Sequence, residues 1–389
     1  MTRIAVIFES SPFDRKGLFN AVHNRVKGLV GTGECWVDAY CIHAKDNILT
    51  RALRHTRYVP QADSVELDGI TYRMLWYRFS ICDHLTLEKF GKRPCMFRRF
   101  INTYVGFLEG YDYVIAHSFT GALFAYEARK RYGIPYYANW HGSDVHTHPW
   151  RVPVILEDTK KVMEAAECNF FVSRALLQSS DKITREASKE VLYNGVSEDF
   201  TRFDEQALKQ ARDRFGLSGK EKVVAFAGNL VPVKNVLVLP EIFKAVSDKF
   251  DGPVHFIIAG DGKLRKQLKA GFLSLSPDVD VTFTGNVDAE EMPALMNCVD
   301  VLVLPSLNEG LPLVCAEALR CGANVVGSDV GGIAEVIGRE NVVPLGDDFV
   351  PVMAEKIVAM LNDRPVQSVP EEISWAKTTA RELSKVRTR

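Results

Sequence analysis

The chain has 389 residues, more than one ordinary hydrophobic core can use, since single cores stop growing beyond roughly 250 to 300 residues, so two domains are expected. With 47% apolar and 25% charged residues and no low-complexity tract, the composition excludes a disordered chain. A formal net charge of -1 disfavours nucleic acid as a partner. Ile4 to Phe8 is a strand-length apolar run that meets Glu9 too early for a secretory signal, and no later window offers about 18 uncharged apolar residues. A cytoplasmic location is therefore expected.

Short runs rich in β-branched residues then alternate with helix-period segments, the pattern of parallel sheets covered on both faces. In the first half the strand candidates are Ile4 to Phe8, Trp36 to Ile42, Tyr113 to His117, Tyr136 to Trp140 and Asn169 to Val172. After a break at 196 to 222 come Val223 to Ala227, His255 to Ile258, Val281 to Thr284, Val301 to Leu304 and Asn324 to Val326. The expected domains are residues 1–198 and 199–372. A final helix in 373–389 follows the Pro365 to Pro370 linker and is expected to pack back on the first domain.

Charge is unevenly shared, with 26 Lys and Arg against 22 Asp and Glu in residues 1–198, and 22 against 27 in the remainder. Lys89, Lys92, Arg93, Arg98 and Arg99 fall within eleven residues that hold no acid, beside Phe90, Met96, Phe97 and Phe100. This segment, 89–99, reads either as a helix that touches anionic lipid or an acidic acceptor at the inner face of a membrane, or as a solvated basic helix face. The eight cysteines contain no C-x-x-C pair and several lie in apolar strand-like runs, so neither zinc nor disulfides are expected.

A doubly wound sheet binds ligands at the carboxyl ends of its strands, which directs attention to the strand-to-helix loops. The strongest of these is Pro305-Ser306-Leu307-Asn308-Glu309-Gly310-Leu311-Pro312, followed by a helix that contains Glu317. Gly310 lets the backbone approach a ligand and Pro312 suits the first helical turn, so free N–H groups there would form an anion site supported by the helix dipole.

The Glu309-x7-Glu317 spacing resembles the signature of the family 4 retaining glycosyltransferases, glycosyl transferases of group 1 with the GT-B fold. Gly228-Asn229-Leu230-Val231-Pro232-Val233-Lys234 resembles that family's G-R-L-x-x-x-K loop. Gly260-Asp261-Gly262 and Phe283-Thr284-Gly285 resemble its next two turns. In the first half, His141-Gly142-Ser143-Asp144 is similar to its H-G-x-D loop, Ser173 to its strand-end serine and Asn194-Gly195-Val196 to its N-G-V.

The resemblance implies an α/β protein of two Rossmann-like, doubly wound parallel-sheet domains that face each other across a cleft. The first would serve the acceptor and the second would bind a nucleotide sugar. It implies a retaining, metal-independent transfer of a hexose-type sugar from a nucleoside diphosphate to a glycan or lipid-linked acceptor in bacterial surface polysaccharide biosynthesis. The nucleotide sugar is a substrate and no cofactor is implied.

Lys234 would neutralise the donor diphosphate, Glu309 would hold hydroxyls of the transferred sugar, and His141 would face that sugar from the other domain. Glu317 would accept the ribose hydroxyls, and the Gly310 and Leu311 amides would meet the distal phosphate. Gly228, Asn229, Gly262, Asp144 and Gly17 complete the expected donor-binding set. Asn229 stands where the family usually has a second diphosphate cation, an arginine, so either a cation of another loop, such as Arg15 or Lys16, compensates or the donor is held less tightly. The family's double glycine is absent around Gly17.

Structural alternatives stand beside these roles. Gly260 to Gly262 reads as a tight turn, Asp144 as an N-cap, His141 as a satisfied buried histidine and Asn194 as a turn former. An epimerase or a phosphorylase on the same architecture and a two-domain solute-binding protein are the competing functions.

Overall fold

A computed structural model describes residues 1–13, 17–45, 60–78, 80–217, 219–274, 279–363 and 367–386. The chain divides into two units, Met1–Asn194 with Trp375–Arg389, and Gly195–Ser374. In the first, strands β1 (Thr2–Glu9), β2 (Cys35–Ala44), β3 (Ser64–Leu67), β4 (Ile70–Tyr77), β5 (Tyr113–His117), β6 (Tyr136–Trp140), β7 (Cys168–Phe171) and β8 (Lys189–Val191) form one sheet. Its order is β3-β4-β2-β1-β5-β6-β7-β8. Every pairing is parallel except β3 against β4.

The second unit holds β9 (Lys222–Ala227), β10 (Val254–Ala259), β11 (Val281–Gly285), β12 (Val301–Leu304), β13 (Asn324–Ser328) and β14 (Val342–Val343), all parallel, in the order β11-β10-β9-β12-β13-β14. Both sheets thus contain the 3-2-1-4-5-6 order of a doubly wound fold. The strand order reverses between β1 and β5 in the first and between β9 and β12 in the second, and each reversal opens a crevice at the carboxyl edge.

The continuous apolar runs are explained by burial on both faces: Ile4 to Phe8 and Val301 to Leu304 are almost wholly inaccessible. The β3–β4 hairpin lies outside the strands expected from hydrophobic runs. Its signal is Asp68-Gly69, with φ of 51° and 72°, the pair of left-handed residues that a two-residue hairpin turn requires. The hairpin adds an antiparallel edge without altering the order of the other strands.

The basic segment 89–99 is not one helix. One helix, Ile81–Glu88, stops at Lys89, the chain turns through Gly91 at φ 62°, and a second helix, Cys95–Tyr104, begins after Pro94. Proline at the start and a left-handed glycine before it break the helical path.

The last helix, Trp375–Val386, packs on the helix Gly17–Gly31 of the first unit. A Cβ at Gly28 would lie 2.1 Å from Thr379 Oγ1, so the two backbones approach as closely as glycine permits. No helix among the described residues is long and apolar enough to cross a membrane. All eight thiols are free.

Candidate functional site

The crevice of the second sheet is walled by the loops that leave β9 and β12, because these strands are neighbours whose crossovers run in opposite directions. After β9 the chain passes Gly228 at φ 153°, the exposed Asn229 and a 3-10 turn, Pro232–Lys234. After β12 it passes Ser306 to Pro312. The Leu307 amide donates to Val233 O at 2.8 Å and stitches the two loops together.

That stitch sets Lys234 against Glu309: Nζ donates to Oε1 at 2.6 Å, with side-chain exposures of 21% and 10%. The Ser306 hydroxyl donates to the same Oε1 at 2.6 Å, and Ser306 O accepts in turn from the Ser328 hydroxyl at the end of β13. Glu309 is therefore held from both sides, by a cation and by a buried serine.

Gly262 and Gly260 supply a third wall. Leu230 N donates to Asp261 O at 3.0 Å, and a Cβ at Gly262 would sit 2.4 Å from Leu230 O. At Gly260 it would sit 2.0 Å from Gly228 O. These glycines are there so that the loops after β9 and β10 can lie backbone to backbone.

The helix Leu313–Arg320 starts at the crevice with Pro312 at its N-cap, one residue outside the helix where the sequence placed it inside. Among the described residues the N–H groups of Asn308, Glu309, Gly310, Leu311, Leu313 and Val314 donate to no protein acceptor. Pro312 has none to offer. A run of free donors at a helix start favours an anion. Gly310 is not among the glycines with a left-handed backbone. The carboxyl of Glu317, on the same helix, makes no hydrogen bond or ion pair among the described residues, and burial pushes it up to about 7.

In the first unit His141 follows β6. Its Nε2 lies 3.1 Å from Nδ1 of the fully buried His117, with the rings stacked at 5.3 Å. Burial, with the Arg25 cation behind it, pushes His141 down to about 3. Asp144 turns back on the loop: its carboxylate accepts from the amides of His141, at 3.1 Å, and Gly142, at 2.8 Å. Burial raises it to about 6 against these bonds.

Ser173 spends its hydroxyl capping the helix Arg174–Ser180 through Leu176 N at 3.1 Å. Asn194 accepts from Arg25. Gly17 heads its helix with open space where a Cβ would be, and Arg15 and Lys16 lie outside the described residues.

Lys234, Glu309, Gly310 and Leu311 thus share one crevice, Gly228, Asn229 and Gly262 line the loops beside it, and Glu317 rides the helix leaving it. His141 and Asp144 form a separate cluster in the first unit. Two residues of the crevice were given no role by the sequence, Ser306, which stands inside the Pro305 to Pro312 loop, and Gly331. A Cβ at Gly331, which sits at φ 53°, would fall 1.9 Å from Glu309 O, so this glycine lets the loop after β13 brace Glu309. The Gly331-Gly332 pair just after a strand was the available signal.

Residues 209–372 match the family model described as "Glycosyl transferases group 1". Over 225 residues the chain is 27% identical to the "Putative teichuronic acid biosynthesis glycosyltransferase TuaC" of Bacillus subtilis, covering 58% of this chain and 54% of that protein. Over 226 residues it is 30% identical to the "GDP-mannose-dependent alpha-(1-6)-phosphatidylinositol monomannoside mannosyltransferase" of Mycolicibacterium smegmatis, covering 54% of this chain and 57% of that one. The chain therefore spans little more than half the length of these two curated relatives.

Among solved structures, Anabaena Alr3699/HepE in complex with UDP and glucose superposes with a TM-score of 0.72 at 16% identity over 100% of both chains. Sucrose-phosphate synthase from Thermosynechococcus elongatus superposes at 0.69, with 17% identity over 99% of this chain and 95% of that one. At such identities the likeness is one of fold, and the fold is GT-B.

Proposed function

We propose that this protein is a retaining glycosyltransferase that moves a hexose-type sugar from a nucleoside diphosphate to a glycan or glycolipid acceptor of a bacterial surface polysaccharide. The observation that carries the proposal is the contact of Lys234 Nζ with Glu309 Oε1 at 2.6 Å, beside the N–H groups of residues 308–311, 313 and 314, which are unused among the described residues. A cation, a carboxylate and a fan of free donors in one crevice suit a ligand with an anionic part joined to a hydroxyl-rich part. The names of the relatives agree in kind, since one is given to teichuronic acid biosynthesis and another uses GDP-mannose.

In this reading the Lys234 ammonium, which spends one of its three donors on Glu309, and the Gly310 and Leu311 amides stabilise the charge that gathers on the departing diphosphate. The bond from the anomeric carbon to the phosphate oxygen breaks while the acceptor oxygen bonds to that carbon on the same face. The acceptor's proton passes to the departing phosphate oxygen, so the configuration is kept and no protein nucleophile is needed. Charge stabilisation is assigned to Lys234 and the backbone donors rather than to a metal. Glu309 orients sugar hydroxyls and Glu317 accepts those of the ribose. Asn229 adds hydrogen bonds without charge.

A thermal-shift screen of nucleoside diphosphates and their hexose conjugates tests the reading. At least one set should raise the unfolding temperature, and no shift with any of them would sink it. Turnover of a nucleotide sugar with no acceptor present, beyond slow hydrolysis, would favour the alternative of an epimerase.

A further inference from the structure

The reversal of strand order in the first sheet, between β1 and β5, opens a second pocket, of about 340 Å³, that none of the roles above uses. Its floor comes from Glu9 at the end of β1 and Tyr77 at the end of β4. One wall comes from Phe119 and Thr120 at the start of the helix Ser118–Tyr132. Glu9 is already committed, accepting from the Tyr77 hydroxyl at 3.0 Å and from the Thr120 hydroxyl. Its other walls carry two kinds of chemistry.

One is apolar, from Leu87, Phe97, Leu123 and Ile155. The other is cationic, from Arg93 and Arg151. Arg93 pairs with Asp158, which offsets both charges, yet its buried Nε donates to no acceptor among the described residues. Arg151 is exposed and pairs with no carboxylate among the described residues, which leaves its guanidinium open to a ligand, while Glu9, the second carboxylate of the lining beside Asp158, meets the Tyr77 and Thr120 hydroxyls instead. The Phe119 and Thr120 amides, in the first turn of a helix of 15 residues, donate to no acceptor among the described residues either.

The surroundings continue the theme. Ile81, Leu85 and Phe90 are exposed apolar residues on the helix Ile81–Glu88 and just after it, at 43%, 46% and 65%. Lys89, Lys92, Arg98 and Arg99 are exposed around them and form no ion pair among the described residues. An unpaired guanidinium, a buried unused N–H and helix-start amides select an oxyanion, and the forked guanidinium geometry suits phosphate. The apolar wall and its exposed continuation select a hydrocarbon chain attached to it.

We propose that this pocket binds an amphiphilic acceptor by a phosphate group next to Arg93 and Arg151, with its hydrocarbon chain along the apolar wall. The assignment to the acceptor rests on the transferase reading, while the ligand chemistry rests on the pocket alone.

The test is calorimetric titration of the full chain with octyl phosphate below its micelle concentration, with octyl glucoside and inorganic phosphate as comparators. Octyl phosphate should bind at least tenfold more tightly than either, excess UDP should not displace it, and Arg151→Glu should weaken it at least tenfold. Equal binding of octyl glucoside means a merely greasy cavity, and equal binding of inorganic phosphate means an anion site without a chain. Displacement by UDP means the other crevice. Each of these overturns the proposal, as does unchanged affinity in Arg151→Glu, a surface change that leaves the core intact. Leu123→Trp, which fills the cavity, should abolish binding, and is counted only if its unfolding temperature stays near that of the parent. Nucleotide binding in the same samples separates the two readings: octyl phosphate failing while a nucleotide binds removes this pocket alone, and the converse removes the transferase.

Discussion

Nδ1 of His117 lies 3.1 Å from Nε2 of His141, and both rings are kept neutral by burial. Burial first, then the neighbouring ring and Arg25, holds His117 well below its ordinary value, and His141 falls to about 3. The folded protein therefore binds fewer protons at this pair than the unfolded chain does between pH 3 and roughly 6.5, the ordinary histidine value. Their contribution is fully present above that value and is lost as pH falls, by at most about 1.4 kcal/mol per histidine per pH unit. Asp144, raised to about 6, works in the opposite sense because its protonated form is favoured on folding. Urea midpoints at pH 7.5 and 5.5 isolate the pair when parent and His117→Leu are compared. The variant should lose less stability on acidification, and an equally steep loss would show that His117 is not held neutral.

Lys234→Ala removes the cation of the crevice and leaves the Glu309 carboxylate with the Ser306 hydroxyl as its remaining partner. Loss of a hydrogen bond to a charged group costs about 1.5 to 3 kcal/mol, which corresponds to roughly tenfold to 150-fold in nucleoside diphosphate affinity. Transfer should fall further, by orders of magnitude, because the charge on the leaving diphosphate grows as the bond breaks. Calorimetry with UDP and GDP gives the first number and initial transfer rates the second. Transfer at the parental rate would refute the role.

Glu317 makes the crevice sensitive to neutral pH. Its carboxyl, raised to about 7 by burial alone, is partly protonated near pH 7, and only the ionised form accepts two ribose hydroxyls. Nucleotide affinity should therefore rise between pH 6 and 8, and Glu317→Gln should flatten that rise. The stability sign is opposite: the folded state takes up a proton that the unfolded state lacks between about pH 4.5 and 7, so stability is lost as pH rises through 7. Glu317→Gln should unfold at a higher urea concentration than the parent at pH 8 and at the same concentration at pH 4.5. A parental pH slope in the variant would assign the effect elsewhere.

Gly331 and Gly17 make opposite predictions for the same substitution. At Gly331 a Cβ would meet Glu309 O at 1.9 Å from a left-handed backbone, whereas at Gly17 it would meet nothing. Gly331→Ala should cost more than about 1 kcal/mol and, by shifting Glu309, weaken nucleotide binding. Gly17→Ala should leave stability within about 0.5 kcal/mol of the parent. Denaturant midpoints together with UDP titration measure both, and a silent Gly331→Ala would show that the loop after β13 does not support Glu309.

Ile4 to Phe8 and Val301 to Leu304 are legible in the sequence because parallel strands buried on both faces leave unbroken apolar runs. The loop from Pro305 to Pro312 is legible because glycine, proline and two carboxylates punctuate one strand end. Asp68-Gly69 was equally plain as a hairpin turn, but β4 alternates buried and exposed residues from Ile70 to Met74 and so lacks the unbroken run. The roles of Ser306 and Gly331 were not legible, since they consist of partners fixed by the strand order, Glu309 in both cases. The same holds for Arg25, whose partners are 114 to 357 residues away in the chain. Periodicity reports which face a residue buries and says nothing of what it meets there.

Arg25 is almost wholly buried in the first unit and spends its guanidinium on four partners: Asn194 Oδ1 at 2.9 Å, Asn139 Oδ1 at 2.7 Å, Leu192 O at 3.3 Å and Glu382 Oε1 at 2.8 Å. Glu382 lies on the last helix, so the pair joins that helix to the helix Gly17–Gly31 and, through Asn139, to β6. Burial raises the Glu382 carboxyl, and its Oε2 has no partner among the described residues, so the pair is costly to assemble. It is costlier to break. Removing one member of a buried pair leaves the other charged and unmatched, at about 3 to 5 kcal/mol, whereas an apolar replacement of both is often neutral. Glu382→Leu should therefore lower the stability of the first unit severely, while Arg25→Met with Glu382→Leu should recover much of the loss. Urea unfolding of the two variants and of Arg25→Met alone measures the coupling. If the double variant is as unstable as the sum of the single ones, Arg25 and Glu382 do not act as a pair, and the last helix is held by its apolar contacts instead.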